Sequence, residues 1–369
     1  MKQIFKILSC LSLVTLGTIA HAMESKQPSS QDPTLKWELI PNDNAGEPSS
    51  CPLPQNQASR PSDSKEFFKH FPLRGCLYSP TTDQYTLYPF QGYSGETNIF
   101  AGHADLKGVQ KIMKGSGYSP VQVKGQSKAY AYIYFNRLTS STVGDYFELF
   151  TFYAAYKTND KGAPVHSVAW PEGTSTAPVA ALGVPGVVYY FDRAYLSNED
   201  AIRYGRSLMG FNKKNAEITI SDLDESPLSP ANVNRKFNSI NKQGQAMLKS
   251  QVTEKVSDFQ DSIGDLVTVL KANGFPTEFP DPKKPQMWLV VSRLPGGPME
   301  TTYFYNQQTS LFRKFEINAE NTFELGNAPF AKELKKLKFQ PTALIWSRDI
   351  IASLESPKWL DPADIDLNK

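Results

Sequence analysis

Seven runs of aromatic and β-branched residues constrain this chain more than any other feature. They are AYAYIYFNRL (129–138), YFELFTFYAAYK (146–157), GVVYYFDRAYL (186–196), AEITISDL (216–223), MWLVVSRL (287–294), TTYFYNQ (301–307) and LFRKFEIN (311–318). Near period-2 alternation puts successive side chains on opposite faces of a strand, and these residue types suit a pleated, half-buried surface. The runs therefore predict a mostly β chain built on an antiparallel sheet or barrel. In the first run Tyr130, Tyr132 and Tyr134 share one face, which predicts an aromatic wall to a core or a cavity.

Helices are fewer. SNEDAIRYGRSLMG (197–210) has Ser197 at an N-cap position, Asp200 three residues on, and Gly210 where a C-cap belongs. A second helix is predicted over 233–272, where Phe237, Ile240, Met247, Val252, Val256 and Phe259 begin an apolar stripe that ends at Asn273-Gly274 and Pro276. It packs on the sheet or forms a coiled-coil or oligomer contact. Prolines between Pro164 and Pro185 mark loops.

The N-terminus MKQIFKILSCLSLVTLGTIAHA has two lysines, an apolar run and a small-x-small site. That pattern predicts a signal peptide over 1–22, cleaved after Ala22, and a mature protein secreted or held in a periplasm. Residues 23–66 are polar and rich in Pro, Ser, Asn and Gln, which predicts a largely disordered arm. A globular domain follows over 67–355, then a tail over 356–369. No later segment has the 18 or so apolar residues of a membrane span. Without Lys2 and Lys6 the 39 basic residues fall to 37, against 37 acidic ones, so there is no electrostatic footprint for nucleic acid. Cys51 and Cys76 remain in a disulfide-permissive compartment. Pairing them closes a loop of about 25 residues worth about 3 to 4 kcal/mol; two unrelated thiols is the alternative.

Elimination narrows the chemistry. The mature chain retains His70, His103 and His166, far apart, and it has no HExxH or paired CxxC, so no metal and no cofactor is predicted. GVPGVV precedes a strand rather than a helix, and no GxSxG elbow is present. What stands out is the pair Lys213-Lys214, between the first helix and the strand AEITI. A nucleophilic lysine must be neutral, so its pKa has to fall from about 10.4. A second ammonium about 5 to 6 Å away contributes roughly 3 kcal/mol, or about two pK units, and burial adds more. The helix C-terminus opposes this by about 0.3 to 1 kcal/mol.

The stretch YLSNEDAIRYGRSLMGFNKK resembles the signature of the acetoacetate decarboxylase family: a strand ending in Tyr-Leu, an acidic turn, Ala-Ile, Gly-Arg, then Gly-Phe-Pro-Lys-Lys. GDYFEL resembles the family's Tyr-x-Glu segment, and MWLVVSRLPGG with ALIWSRDI resembles its C-terminal half. The resemblance implies a fold of class α+β, mostly β, with a curved antiparallel sheet or barrel around an apolar cavity and flanking helices. It implies Lys213 as a Schiff-base lysine, Lys214 as the neighbour that lowers its pKa, and Glu148 as an active-site carboxylate. A lysine activated by an adjacent cation is the established device of acetoacetate decarboxylase itself. The implied partner is a small keto acid or related carbonyl compound, and family members are commonly oligomeric. The chain departs from the pattern at Asn212 for proline, Ser207 for glutamate and Asn136 for a second carboxylate. It also has no arginine between Arg74 and Arg137, where the family meets a substrate carboxylate. A non-catalytic relative that binds a ligand in the same cavity is the alternative function, and an interaction protein built on the long helix is a third.

Overall fold

The computed structural model describes residues 38–41, 67, 71, 73–79, 83–158, 166–184, 186–222, 232–277, 286–294 and 297–355. The signal segment, Cys51, the tail and the arm apart from 38–41 lie outside the described residues. The chain begins with strands β1 (Glu38–Pro41), β2 (Gly75–Ser79), β3 (Gln84–Tyr88) and β4 (Phe90–Asp105), helix α1 (Leu106–Met113), and strands β5 (Tyr118–Pro120), β6 (Gln122–Val123), β7 (Lys128–Ser141), β8 (Tyr146–Lys157) and β9 (Ser167–Val168). Next come α2 (Ala177–Leu182), β10 (Val187–Leu196), α3 (Glu199–Met209), β11 (Lys213–Asp222), β12 (Asn232–Asn241), β13 (Ala246–Lys255) and α4 (Val256–Ala272). The last elements are β14 (Gln286–Leu294), β15 (Gly297–Lys314), β16 (Thr322–Leu325), α5 (Pro329–Lys336) and β17 (Gln340–Glu355).

The protein is mostly β with few helices. β1, β2 and β3 form a small antiparallel sheet, so four residues of the polar arm are built into the fold. The other strands form one 14-stranded sheet in the order β16-β13-β12-β11-β10-β14-β15-β17-β4-β7-β6-β9, with β8 bonded to β7, β10 and β5. The sheet as a whole does not close into a barrel, because this path starts at β16 and ends at β9. Most neighbours are antiparallel, but β10 runs parallel to both β11 and β14. The parallel β10–β11 pair requires a crossover, and α3 supplies it.

The period of β7 divides its side chains between two cores. Ala131, Ile133 and Phe135 pack on one face, and Tyr130, Tyr132 and Tyr134 on the other. Tyr132 stacks on Phe152 at 4.6 Å and Tyr134 on Phe150 at 4.4 Å, across to β8. Each buried aromatic contributes about 1.5 to 3 kcal/mol through the area it removes from water, and stacking adds to that.

The long helix expected over 233–272 is instead a β-hairpin, β12 and β13, followed by the 17-residue α4. The buried residues of β12 are Val233, Arg235, Phe237 and Ser239, a period of two in which a charged and a hydroxyl residue occupy inward positions. Counting apolar residues alone hid that alternation and left spacings of three. The turn at Asn241–Gln245, with Gly244 at φ +72°, fills the gap in the stripe between Ile240 and Met247. α4 packs against β15 and α2. The runs 301–307 and 311–318 merge into β15, which ends at Lys314, and the proline-rich region holds the short helix α2.

Candidate functional site

Lys213 is placed by the crossover from β10 through α3 to β11. The helix starts one residue later than its sequence suggests: Asn198, not Ser197, is the N-cap, and its side chain accepts a hydrogen bond from the Ala201 N–H at 3.0 Å. The Ser197 hydroxyl instead accepts from the Phe147 N–H of β8. Gly210 ends the helix at φ +65°, the left-handed conformation glycine adopts without a Cβ penalty. Phe211 then folds back, its N–H donating to the Gly205 carbonyl, and its ring stacks on Phe191 at 4.4 Å. Lys213 opens β11 opposite Ala194 of β10.

The lysine stem lies directly on α3. A Cβ built at Gly205 would stand 2.4 Å from Lys213 Cδ, 2.5 Å from Cε and 2.8 Å from Nζ. Only glycine allows this approach, so Gly205 of the Gly-Arg motif cradles the amine. The sequence carried that signal in the motif without indicating what the glycine was for.

Glu148 faces the amine from β8, with Lys213 Nζ to Glu148 Oε2 at 4.0 Å, and both side chains are nearly buried. Asn136 lies across from Glu148 in the β7–β8 ladder and donates from Nδ2 to Glu148 Oε1 at 3.0 Å. Its Oδ1 accepts from Thr97 Oγ1 at 2.8 Å and from the Ser94 hydroxyl, both on β4. These bonds fix the amide with its donor toward the carboxylate, a contact that a second carboxylate at 136 could not make. Ser94 and Thr97 lie about 40 residues from Asn136 in the chain, and sequence reading missed both.

These polar groups line a cavity of about 110 Å³. The rest of its wall is mainly apolar and aromatic, including Phe150, Phe152, Phe191 and Phe211, and Tyr134 of the predicted aromatic face belongs to it. Lys213 Nζ also stands 5.5 Å over the Phe211 ring.

Burial pushes the Lys213 pKa down, opposed by the Glu148 carboxylate. The effect expected of Lys214 is not among these causes. The strand sends consecutive side chains to opposite faces, and Lys214 lies outside the cavity lining. Its own pKa is lowered by partial burial and by Arg193 and Arg206, and raised by Glu333. Ser207 is buried outside the lining and donates back to the Arg203 carbonyl. Cys76 is fully buried on β2, and its expected partner Cys51 lies outside the described residues.

Among the described residues no group of three or more His, Cys, Asp or Glu side chains could hold a metal ion, and no helix is long and apolar enough to cross a membrane. The cavity's own reactive groups are an amine and a carboxylate.

The chain matches no protein-family model, and no curated protein matches its sequence. Among solved structures it is similar to acetoacetate decarboxylase from Legionella pneumophila, at 13% identity over 74% of this chain and 87% of that one, with a TM-score of 0.43. It is similar to the enduracididine biosynthesis enzyme MppR complexed with pyruvate, at 11% identity over 75% of this chain and 93% of that one, TM-score 0.44. An acetoacetate decarboxylase-like enzyme from Sphingomonas wittichii overlaps at 12% identity over 73% and 92%, TM-score 0.40. Overlap at this level leaves the chemistry of the site to be read from this chain's own residues.

Proposed function

We propose that the protein is an exported, acetoacetate decarboxylase-like lyase in which Lys213 forms a Schiff base with a small keto acid or related carbonyl compound. The observation that carries this reading is a lysine amine buried in an apolar cavity and held 4.0 Å from Glu148. Burial favours the neutral, nucleophilic amine, and a carboxylate at that distance can take up its proton.

The proton balance is closed by these two residues. Glu148 takes a proton from the Lys213 ammonium, and the free amine adds to the carbonyl carbon. A second amine proton moves to the oxygen, giving a carbinolamine. Glu148 returns its proton to the hydroxyl, which leaves as water, and a protonated iminium remains. The iminium then accepts the electron pair of an adjacent carbon–carbon bond as carbon dioxide or another carbon fragment leaves. A proton adds to the carbon of the resulting enamine to restore the iminium, and water hydrolyses that iminium to free the lysine and the product ketone. Asn136, held by Thr97 and Ser94, positions the carboxylate for both transfers.

Borohydride reduction with carbonyl compounds, followed by peptide mass mapping, tests this. An adduct on Lys213 that is absent from Lys213→Met supports it, and no adduct with any carbonyl sinks it. Asn136 in place of a second carboxylate favours a second reading, a non-catalytic binding protein, for which ligands bind the cavity without reducible adducts. Export after Ala22 and a Cys51–Cys76 bridge belong to the same proposal. N-terminal sequencing and non-reducing mass mapping of secreted protein check them.

A further inference from the structure

Building on the Schiff-base reading, we infer that the carbonyl substrate is an uncharged molecule with an aromatic or branched aliphatic body, and that the site discriminates against keto acids.

Four features of the cavity point there. First, Lys213 is the one cationic side chain among the described residues of the lining, and the positive charge its iminium keeps is already faced by Glu148. Among the described residues of the lining no arginine or second lysine is left to receive a substrate carboxylate; Arg235 belongs to β12 and donates to both carboxylate oxygens of Glu96. Second, the one acidic side chain among the described residues of the lining is Glu148, 4.0 Å from Lys213 Nζ. A carboxylate two or three bonds from the captured carbon would stand close to it in a low-dielectric setting, where like charges repel strongly. Third, the non-phenolic neutral groups of the described wall, Ser94, Thr97 and Asn136, are bonded to one another. Thr97 donates to Asn136, and the Asn136 amide donates to Glu148. Buried anions need several donors, and these are occupied. Fourth, the remaining polar side chains of the wall are the tyrosines Tyr134, Tyr146, Tyr189 and Tyr204. Phenols suit a neutral hydroxyl or second carbonyl, and the rings of Phe150 and Phe191, 5.6 Å apart, suit a flat apolar body. The cavity is thus built around one amine and one carboxylate that face each other, with apolar surface for the rest of the ligand.

Benzylacetone and levulinate test this cleanly, because both are methyl ketones with the same two-carbon spacer and differ in a phenyl ring against a carboxylate. The full mature chain is incubated with each at equal concentration, reduced with borohydride, and the Lys213 adduct quantified by peptide mass mapping. Labelling of N-acetyl-lysine under the same conditions normalises for intrinsic reactivity. Benzylacetone is expected to label Lys213 at least tenfold more than levulinate. In Glu148→Gln that ratio is expected to narrow severalfold, whatever happens to the absolute rates, since the repelling charge is gone. Equal labelling, or a preference for levulinate, overturns the inference and leaves the Schiff base standing. Labelling by neither ketone overturns the inference alone, since the Schiff base falls only when no carbonyl compound labels Lys213, and a ratio unchanged in Glu148→Gln overturns the electrostatic basis of the selectivity.

Discussion

Two carboxylate–cation pairs are buried close together in this protein, and they are built in opposite ways. Glu96 of β4 receives Arg235 Nε on both oxygens, at 2.8 and 2.9 Å, with Trp346 Nε1 and Asn98 Nδ2 adding bonds at 3.0 Å. Glu148 of β8 holds its lysine off at 4.0 Å, beyond hydrogen-bond distance, and takes its hydrogen bond from the Asn136 amide. Successive residues of β4 serve both places, Glu96 toward Arg235 and Thr97 toward Asn136. The first pair is saturated, and a guanidinium stays charged at any working pH. The second keeps a depressed amine next to a carboxylate with accepting capacity to spare. What separates a structural ion pair from a candidate catalytic one here is hydrogen-bond satisfaction rather than burial or residue charge.

The largest expected effect is at Lys213. Lys213→Met should lose the borohydride-trapped adduct completely while Arg235 variants that remain folded keep it, as peptide mapping would show. The same variant should change the pH dependence of stability. Burial lowers the folded-state pKa of Lys213, while the unfolded chain titrates near the usual 10.4 or so. Between the two the unfolded chain binds the extra proton, so unfolding free energy rises with pH across that window, and Lys213→Met should flatten the rise.

Breaking the other pair should cost stability instead. Arg235→Met leaves the Glu96 carboxylate buried without its cation, which typically costs about 3 to 5 kcal/mol, measurable by urea titration. A loss below about 1 kcal/mol would erase the contrast between the two sites.

Gly205→Ala should come next. Its Cβ would overlap the Lys213 stem, so the trapping rate is expected to fall about tenfold or more. Stability should change little, because alanine gains up to about 1 kcal/mol of helix propensity and that offsets some of the strain. Trapping kinetics and a denaturant curve on the same sample separate the two outcomes.

The smallest effect is expected at Lys214. If burial depresses Lys213, Lys214→Met should alter the trapping rate less than about threefold. A hundredfold fall, matching the two pK units or so expected of a neighbouring ammonium, would restore the neighbour-charge explanation.

Several residues of the candidate site are legible in the sequence because they are local in it. The helix, Gly210, Phe211 and Lys213 occupy one short stretch, and Glu148 sits on an unmistakable strand. The cap moved from Ser197 to Asn198 because the serine hydroxyl was taken by the Phe147 N–H of β8, a partner some 50 residues away. The hairpin of β12 and β13 carries a helix-like apolar spacing because its inward positions include Arg235 and Ser239, whose burial depends on Glu96 and on the neighbouring strand. An apolar count cannot register a charged residue that will be buried.

By itself the sequence determined the strand-rich class, the period of β7 and the adjacency of Lys213 to a glycine-ended helix, because each depends on backbone preference and alternation over a few residues. Only the tertiary structure decided which lysine enters the cavity, that Gly205 makes room for it, and that Asn136 turns its donor toward Glu148. Those outcomes depend on residues about 40 to 65 positions apart meeting in register, Ser94 and Thr97 with Asn136 and Glu148 with Lys213.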